Sequence, residues 1–320
     1  MAEESRGTVL AAMGANVAIA AGKLTAGLVA GSAGLLAEAG HSIADTVDQV
    51  FLLIGLNLSR NHADETHPYG YGKEGFFWSF LAAVFIFVAG ATFSFYEGAR
   101  TVIEGHSHDR STGELALGFG VLAMAFLFES FSFVVAVRSL RAAARAKRWS
   151  FFRYVRHSPD LTVKTVFWED TAALIGLLLA AGGLAASELS GSENWDGVAS
   201  MLIGGVLVMA ALVLGMQARH LLLGAAAGEE ALGEIRRTVE GFPEVRRVVR
   251  LLTMQMGVHS ILVTGELSVQ RELTAAQIEE LMSRIDGELA TTVPDVSDTF
   301  WELRRAPDAA SRPAPPVDPR

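Results

Sequence analysis

The 320-residue chain contains no cysteine. This absence excludes disulfides, zinc sites built from thiolates and cysteine nucleophiles. Any metal site must therefore take its ligands from His, Asp, Glu or Asn side chains. The sequence also lacks a Gly-rich phosphate-binding loop. We find neither a nucleophile paired with a base nor an open catalytic metal site, and we therefore do not expect an enzyme.

Charged residues are scarce, at 19% of the chain, whereas 51% of the residues are hydrophobic. The mean hydropathy is +0.34, and soluble domains are usually less apolar and more charged than this. The formal net charge of −9 argues against nucleic acid as a partner. Residues 1–7 are too short and too acidic for a cleaved presequence, so we expect the first apolar stretch to remain as a membrane anchor.

Six apolar stretches are each long enough, at about 20 residues, to cross a lipid bilayer as a helix. They lie at 8–30, 33–58, 75–99, 113–137, 161–184 and 198–216. Gly and Ala are frequent within them, which favours close helix–helix packing in lipid. The sequence therefore predicts an all-α six-helix transmembrane bundle over residues 1–223.

The segments between these stretches predict an orientation. The link between the fifth and sixth stretches carries Glu188, Glu193 and Asp196 and no basic residue. The link between the fourth and fifth is basic, with Arg138, Arg141, Arg145, Lys147, Arg148, Arg153 and Arg156. Basic loops stay in the cytoplasm, and an even number of spans then places both termini there as well. Scarce Lys beside abundant Arg and Ala indicates a GC-rich bacterial genome, and hence the inner (plasma) membrane.

Residues 224–305 have the composition of a small soluble domain that follows a Gly/Ala hinge at 224–228. Apolar residues between Leu232 and Phe242 recur at helical spacing. Thr274 and Gln277 form a capping box that opens a second helix through about Leu289. Strands are predicted at 248–256, 261–269 and 296–303. This order predicts a ferredoxin-like α-β-β-α-β cytoplasmic domain, followed by a Pro-rich disordered tail at 306–320.

The second apolar stretch carries four ionisable residues, Glu38, His41, Asp45 and Asp48. Charged groups inside a span are costly and mark functional candidates. Their spacings of three, four and three place all of them on one helical stripe. His41 and Asp45 lie one turn apart, so that an imidazole and a carboxylate can bind one divalent ion. The alternative is a polar clamp between helices.

The fifth stretch supplies Glu169 and Asp170. Relative to Val166, Glu169 lies roughly 60° to one side and Asp170 about 40° to the other, so both can lean toward one point. With the opposed directions inferred above, Asp45 and Asp170 fall at similar depth. His41, Asp45 and Asp170, with Glu169 or water, supply the four donors that zinc prefers. In the alternative, Glu169 only orients its neighbours.

Two further ionisable residues in the apolar stretches leave alternatives open. Lys23 can pair with Glu38 as a latch toward the outer side, or it can extend alone to the membrane surface. Glu129, in the fourth stretch, can belong to a proton path or pack as a neutral acid.

Two segments of the chain carry a family resemblance. Residues 31–45, GSAGLLAEAGHSIAD, and residues 67–74, HPYGYGKE, resemble the second helix and following loop of the cation diffusion facilitators. The six stretches and the C-terminal pattern match as well, so the resemblance covers nearly the whole chain. Residues 45–49 and 169–176 are most similar to the branch that contains the mitochondrial zinc exporter. The resemblance implies a homodimer, without a cofactor, that exports a divalent cation such as zinc from the cytoplasm in exchange for protons by alternating access.

The fifth helix departs from the family pattern. The family usually has H-x-x-x-D there, and Val166 occupies the His position. Asp170 is then the matching ligand and Glu169 the apparent replacement. Such a site is harder and more anionic, which weakens the preference for zinc over manganese, iron or cobalt.

Two further metal sites of the family are also altered. In the loop after the second stretch, Asp64 and His67 match, but Tyr71 stands at the third position, with His62 nearby as a substitute. The C-terminal domain of the family often holds a binuclear site, whereas here only His259 is present, so we expect none. The competing hypothesis is a membrane protein that senses metal or docks partners without transporting.

Overall fold

The computed structural model describes residues 2–105, 110–157 and 161–304. The chain divides into two compact units, Met1–Leu223 and Gly224–Arg320. The first unit is helical, and the second contains a small β-sheet.

The helices of the first unit follow the apolar stretches of the sequence. In its third apolar stretch, a π-helical segment at Ile86–Ala91 joins two α-helices into one continuous helix. The helices are α1 (Ala2–Ala30), α2 (Ala33–Leu58), α3 (Glu74–Phe85), α4 (Thr92–Glu104), α5 (Thr112–Ala146), α6 (Phe151–His157), α7 (Leu161–Ser190) and α8 (Asn194–Leu222).

Within the described residues, four helical segments are long and apolar enough to cross a membrane. They are Glu74–Glu104, Thr112–Ala146, Lys164–Ser190 and Asn194–Leu222. The chain is therefore a multi-pass membrane protein, while six spans are not established by this criterion. Helix α2 has 26 residues, a sufficient length, but Glu38, Asp45 and Asp48 make it more charged than an ordinary span. In α1, residues 16–30 form a shorter apolar stretch.

Small residues allow the helices of this unit to approach closely. Helix α8 packs against α7 and α4, and α2 packs against α1 and α3. Where α4 crosses α8, a Cβ on Gly98 would collide with the backbone of Gly197. Where α7 crosses α8, a Cβ on Gly183 would collide with Ala199. Such contacts supply van der Waals packing without a hydrophobic driving force, as expected for helices in lipid.

Several helices extend beyond the apolar stretches that predicted them. Helix α5 continues to Ala146, so Arg138, Arg141 and Arg145 are helical and not part of a loop. Helix α8 begins at Asn194, which places Asp196 in its first turn. Hydropathy marks where a helix is apolar, whereas backbone hydrogen bonding continues into polar flanks.

The second unit has the predicted order of helices and strands. Its elements are α9 (Glu229–Glu240), β1 (Val245–Gly257), β2 (Ser260–Val269), α10 (Ala275–Thr292) and β3 (Val296–Leu303). The sheet order is β1-β2-β3. Strand β2 is antiparallel to β1 and parallel to β3, and the parallel pair requires the crossover helix α10. The predicted tail at 306–320 lies outside the described residues.

Two features stabilise this second unit. Ile235 of α9, Leu281 and Ile285 of α10 and Val263 of β2 are fully buried in one apolar core. The capping box of α10 is present, because Thr274 Oγ accepts from the Gln277 backbone N–H and the Gln277 side chain accepts from the Thr274 N–H. The sequence prediction for the start of this helix is confirmed.

Candidate metal site

The ionisable stripe of α2 faces the interior of the first unit. Glu38 and Asp48 are fully buried, and His41 is 1% exposed. The helix begins at an N-cap, Ser32, whose side chain accepts a hydrogen bond from the backbone N–H of Leu35. Three of the four ionisable groups are thus buried and Asp45 is partly buried, a costly arrangement in a membrane unit that marks this face as functional.

A cavity of about 440 Å³ lies between α1, α2, α5 and α7. Three of the four predicted metal ligands, Asp45, Glu169 and Asp170, line it together with Glu129. Its other polar lining residues are Asn16, Ser42, Gln49 and Ser132. The structure thus brings carboxylates from three helices to one space, although α2 and α7 are more than 100 residues apart in the sequence.

The fourth predicted ligand, His41, lies beside the cavity. Its Nδ1 atom is 3.2 Å from Asp45 Oδ1, as the spacing of one helical turn predicts. Neither ring nitrogen makes a hydrogen bond within the described part of the chain. A buried imidazole usually has a partner for each nitrogen, so the unprotonated nitrogen of His41 remains available to bind a cation.

Several carboxylate oxygens around the cavity also lack hydrogen bonds among the described residues. They are Asp45 Oδ1, Glu169 Oε1, Asp170 Oδ2 and both side-chain oxygens of Asp48. Unpaired buried oxygens are energetically unfavourable, and a bound cation would satisfy them. Across the described residues, however, no three His, Asp or Glu side chains form a group that could hold a metal ion. The predicted ligands share one region without forming a closed coordination shell.

Two acids that the predicted ligand set left out belong to the same region. Asp48 lies near Glu169, so the two carboxylates repel each other when both are charged. The charge of Glu129 acts on both Asp45 and Asp170. The sequence carried a signal for each, because Asp48 is on the α2 stripe and Glu129 is a lone acid in an apolar helix.

Lys23 of α1 is paired with Glu38. Its Nζ atom is 2.9 Å from Glu38 Oε2 and 2.8 Å from Ser42 Oγ. Both charged side chains are fully buried, so the hypothesis that Lys23 extends alone to the membrane surface is wrong. The pair joins α1 to α2 one turn from His41.

The loop after α2 uses Asp64 as a hydrogen-bond acceptor. Its carboxylate accepts from the Thr66 hydroxyl (2.7 Å), the backbone N–H of Thr66 and His67 (2.9 and 2.7 Å) and the Tyr71 hydroxyl (2.8 Å). These bonds, led by the Thr66 hydroxyl and the Tyr71 hydroxyl, hold the pKa of Asp64 well below its usual value. Tyr71, at the position of a family metal ligand, is thus a hydrogen-bond donor to Asp64.

Comparison with known proteins identifies the family. Residues 9–223 match the profile of the cation efflux transmembrane domain. The chain is 30% identical over 259 residues to the human "Proton-coupled zinc antiporter SLC30A9, mitochondrial", a match covering 81% of this chain and 45% of that protein. It is 33% identical over 201 residues to "Metal tolerance protein C4" of Arabidopsis thaliana, covering 63% of this chain and 43% of that protein.

A bacterial relative matches over almost its whole length. The "Manganese efflux system protein MneP" of Bacillus subtilis (strain 168) is 23% identical over 306 residues, covering 92% of this chain and 94% of that protein. By contrast, the chain spans less than half the length of the human and plant relatives. The match to the family profile covers most of the chain, and the protein belongs to the cation efflux family.

Proposed function

We propose that this protein carries a divalent metal cation, zinc, out of the cytoplasm in exchange for protons. The observation that supports this most directly is the cavity lined by Asp45, Glu169 and Asp170. Oxygens of all three lack hydrogen bonds within the described part of the chain. A dication needs neutralising carboxylates in a poorly solvated place, and this cavity holds them.

Proton exchange follows from the same groups. When the cation leaves, Asp45, Glu169 and Asp170 are carboxylates in mutual repulsion in a poorly solvated region. Proton uptake relieves that repulsion. Metal binding requires the deprotonated forms, so metal and protons compete for one set of side chains. If the helices alternate between inward-open and outward-open states, this competition produces antiport.

The membrane arrangement completes the proposal. Helices α1 and α2 add two spans to the four apolar ones, because the ionisable stripe of α2 faces the interior of the unit and not lipid. Both termini and the Arg-rich segment around Arg145 face the cytoplasm. The second unit is a ferredoxin-like cytoplasmic domain, and the protein works as a homodimer in the bacterial plasma membrane.

Zinc is the proposed substrate because the human relative is named as a zinc antiporter and because His41 offers a borderline nitrogen ligand. Manganese is the second candidate. Val166 removes the second imidazole, and the cavity region is rich in carboxylates, which favour harder cations. The full-length bacterial relative is named as a manganese efflux protein.

Metal flux in sealed proteoliposomes tests the proposal against a sensor or docking protein that does not transport. A panel of Zn²⁺, Mn²⁺, Fe²⁺ and Co²⁺ identifies the substrate. Asp45→Ala and Asp170→Ala should each abolish flux while the protein still inserts and purifies as a folded species. His41→Asp should keep some flux and shift preference from Zn²⁺ toward Mn²⁺. Absence of flux for every ion in the wild type would refute transport.

A further inference from the structure

Lys23 is a fully buried cation in the membrane unit. Its ammonium group contacts Glu38 and Ser42 at 2.9 and 2.8 Å. Burial of a charged pair is tolerated only when its partners compensate the lost hydration. The pair links α1 to α2, and a purely structural link is the alternative to any further role.

The ammonium group also lies close to the proposed cation site. Ser42, which accepts its hydrogen bond, lines the cavity together with Asp45. The charge of Lys23 acts on Asp45, His41 and Glu129. Lys23 therefore contributes a fixed positive charge to the electrostatic potential in which a transported cation must bind.

Glu38 contacts α7 on its other side. Its Oε1 atom lies where a Cβ on Gly176 would be, so glycine leaves room for the Glu38 side chain against α7. The opposite charges of the pair lie beside Ser42, which lines the cavity.

We propose that Lys23 is a resident positive charge that weakens binding of the transported dication, and that Glu38 offsets part of this repulsion. The inference rests on the proposed transport function. Charges repel strongly where the effective dielectric constant is low. A carrier must bind its ion tightly enough to load it and weakly enough to release it. Lys23 and Glu38 together set the affinity between these limits.

The two single neutralisations should change affinity in opposite directions. Lys23→Met removes the repulsive charge, so the KM for the metal should fall by about threefold or more. Its maximal rate should also fall, because release becomes slower. Glu38→Gln leaves the ammonium uncompensated, so the KM should rise by a similar factor. The double variant should return the KM toward the wild-type value.

The experiment is uptake of the transported metal, Zn²⁺ or Mn²⁺, into proteoliposomes, with initial rates measured over a concentration series. Arg100→Met and Glu97→Gln are matched controls, since these residues form an ion pair on α4, with side-chain atoms 3.9 Å apart, away from the cavity lining. Neither control should change the KM. Lys23→Arg keeps the charge and should also retain the wild-type KM.

Opposite KM shifts support the proposal, because a structural clamp gives no reason for a sign change. Shifts in the same direction, or unchanged KM values with less folded protein, overturn it. If Lys23→Met does not fold, Lys23→Gln removes the charge but keeps hydrogen bonding to Glu38 and Ser42, and the same KM decrease is expected. Failure of both neutral variants to fold would assign the pair a structural role alone and overturn the proposal.

Metal uptake by the wild type and by Asp45→Ala, measured in matched vesicles, distinguishes failure of this inference from failure of the proposed function. If the wild type moves no metal, or Asp45→Ala moves as much, the transport proposal fails. If the wild type transports and Asp45→Ala does not, the transport proposal holds. If Lys23→Met and Glu38→Gln then shift the KM in the same direction, only the inference about Lys23 is wrong.

Discussion

The carboxylate of Asp196 accepts a 2.6 Å hydrogen bond from the backbone N–H of Ala33, so the first turn of α8 caps the first turn of α2. The Ser32 hydroxyl donates to the same carboxylate at 3.0 Å. Arg110, 3.8 Å from Asp196, donates to the carbonyls of Ala30 and Gly31 at the end of α1. One buried cluster thus supplies hydrogen-bond partners for the backbone carbonyls at the end of α1 and for the backbone N–H groups at the start of α2. Helix α2 carries His41 and Asp45.

Loss of this cap should destabilise the membrane unit. Asp196→Ala removes one of the two carboxylates beside the buried Arg110 and leaves the α2 N–H groups unpaired, which should cost roughly 3 kcal/mol. Ser32→Ala removes one capping side chain and should cost about 1 kcal/mol. Thermal unfolding in detergent, followed by tryptophan fluorescence, measures both. The exposed Glu188→Ala is the control, and an Asp196→Ala midpoint equal to that of Glu188→Ala would contradict the role of the cluster.

The loop around Asp64 should retain its order well below neutral pH. The hydrogen bonds from Thr66 and Tyr71 lower the pKa of this exposed carboxyl from its ordinary value of 3.8. Because the folded pKa is depressed, its contribution to stability is present above pH 3.8 and is lost as the pH falls through the folded value. A ¹³C-carboxyl NMR titration, assigned by comparison with Asp64→Asn, measures the pKa. Tyr71→Phe should raise it, and a wild-type value of 3.8 or higher would contradict the hydrogen-bonded arrangement.

His259 should be dispensable for transport. It is exposed, and its Nδ1 atom lies 3.1 Å from Asp295 Oδ1 at the surface of the second unit. His259→Ala should therefore leave metal flux and the KM nearly unchanged in proteoliposomes. Asp295→Ala is the matched variant for the other partner. A large loss of flux in either, or stoichiometric metal binding that disappears with His259, would show that this unit holds a functional metal site.

The absence of native cysteine allows the topology to be tested by labelling single cysteines. Lys147→Cys, after the Arg-rich end of α5, should react with a membrane-impermeant maleimide only from the cytoplasmic side. Ser190→Cys, at the exposed end of α7, should react only from outside. Ser190 is preferred to Glu193, because Glu193 lies 3.6 Å from Arg110 and is partly covered. Labelling of both positions from the same side would contradict the proposed orientation.

The sequence was sufficient to predict contacts that depend on helical periodicity. The approach of His41 to Asp45 follows from a spacing of four residues, and the capping box of α10 from Thr274 and Gln277. Asp45, Glu169 and Asp170 line one cavity. The prediction that they lie at similar depth rests on the assumption that α2 and α7 run in opposite directions. These relationships join residues close in sequence, or depend only on the relative direction of two helices.

Other features depend on distant residues that periodicity does not connect. The sequence predicts Asp196 in an outer loop, because hydropathy does not show that α8 begins before it. Its role as a cap for α2 is set by how α8 packs against the α1–α2 turn. The place of Glu38 against Gly176 likewise depends on the distance between α2 and α7. Periodicity places Asp48 on the α2 stripe, but it does not predict that Asp48 lies near Glu169.

Simultaneous measurement of metal and proton movement in proteoliposomes tests proton-coupled transport through Asp45 most directly. Wild-type protein should move Zn²⁺ or Mn²⁺ down its gradient while protons move in the opposite direction, reported by an interior pH dye under charge compensation. Asp45→Asn should abolish both movements, because the amide keeps the shape of the side chain but loses its charge and its proton. Undiminished metal flux in Asp45→Asn, or wild-type metal flux with no proton counterflow, would contradict the proposed mechanism.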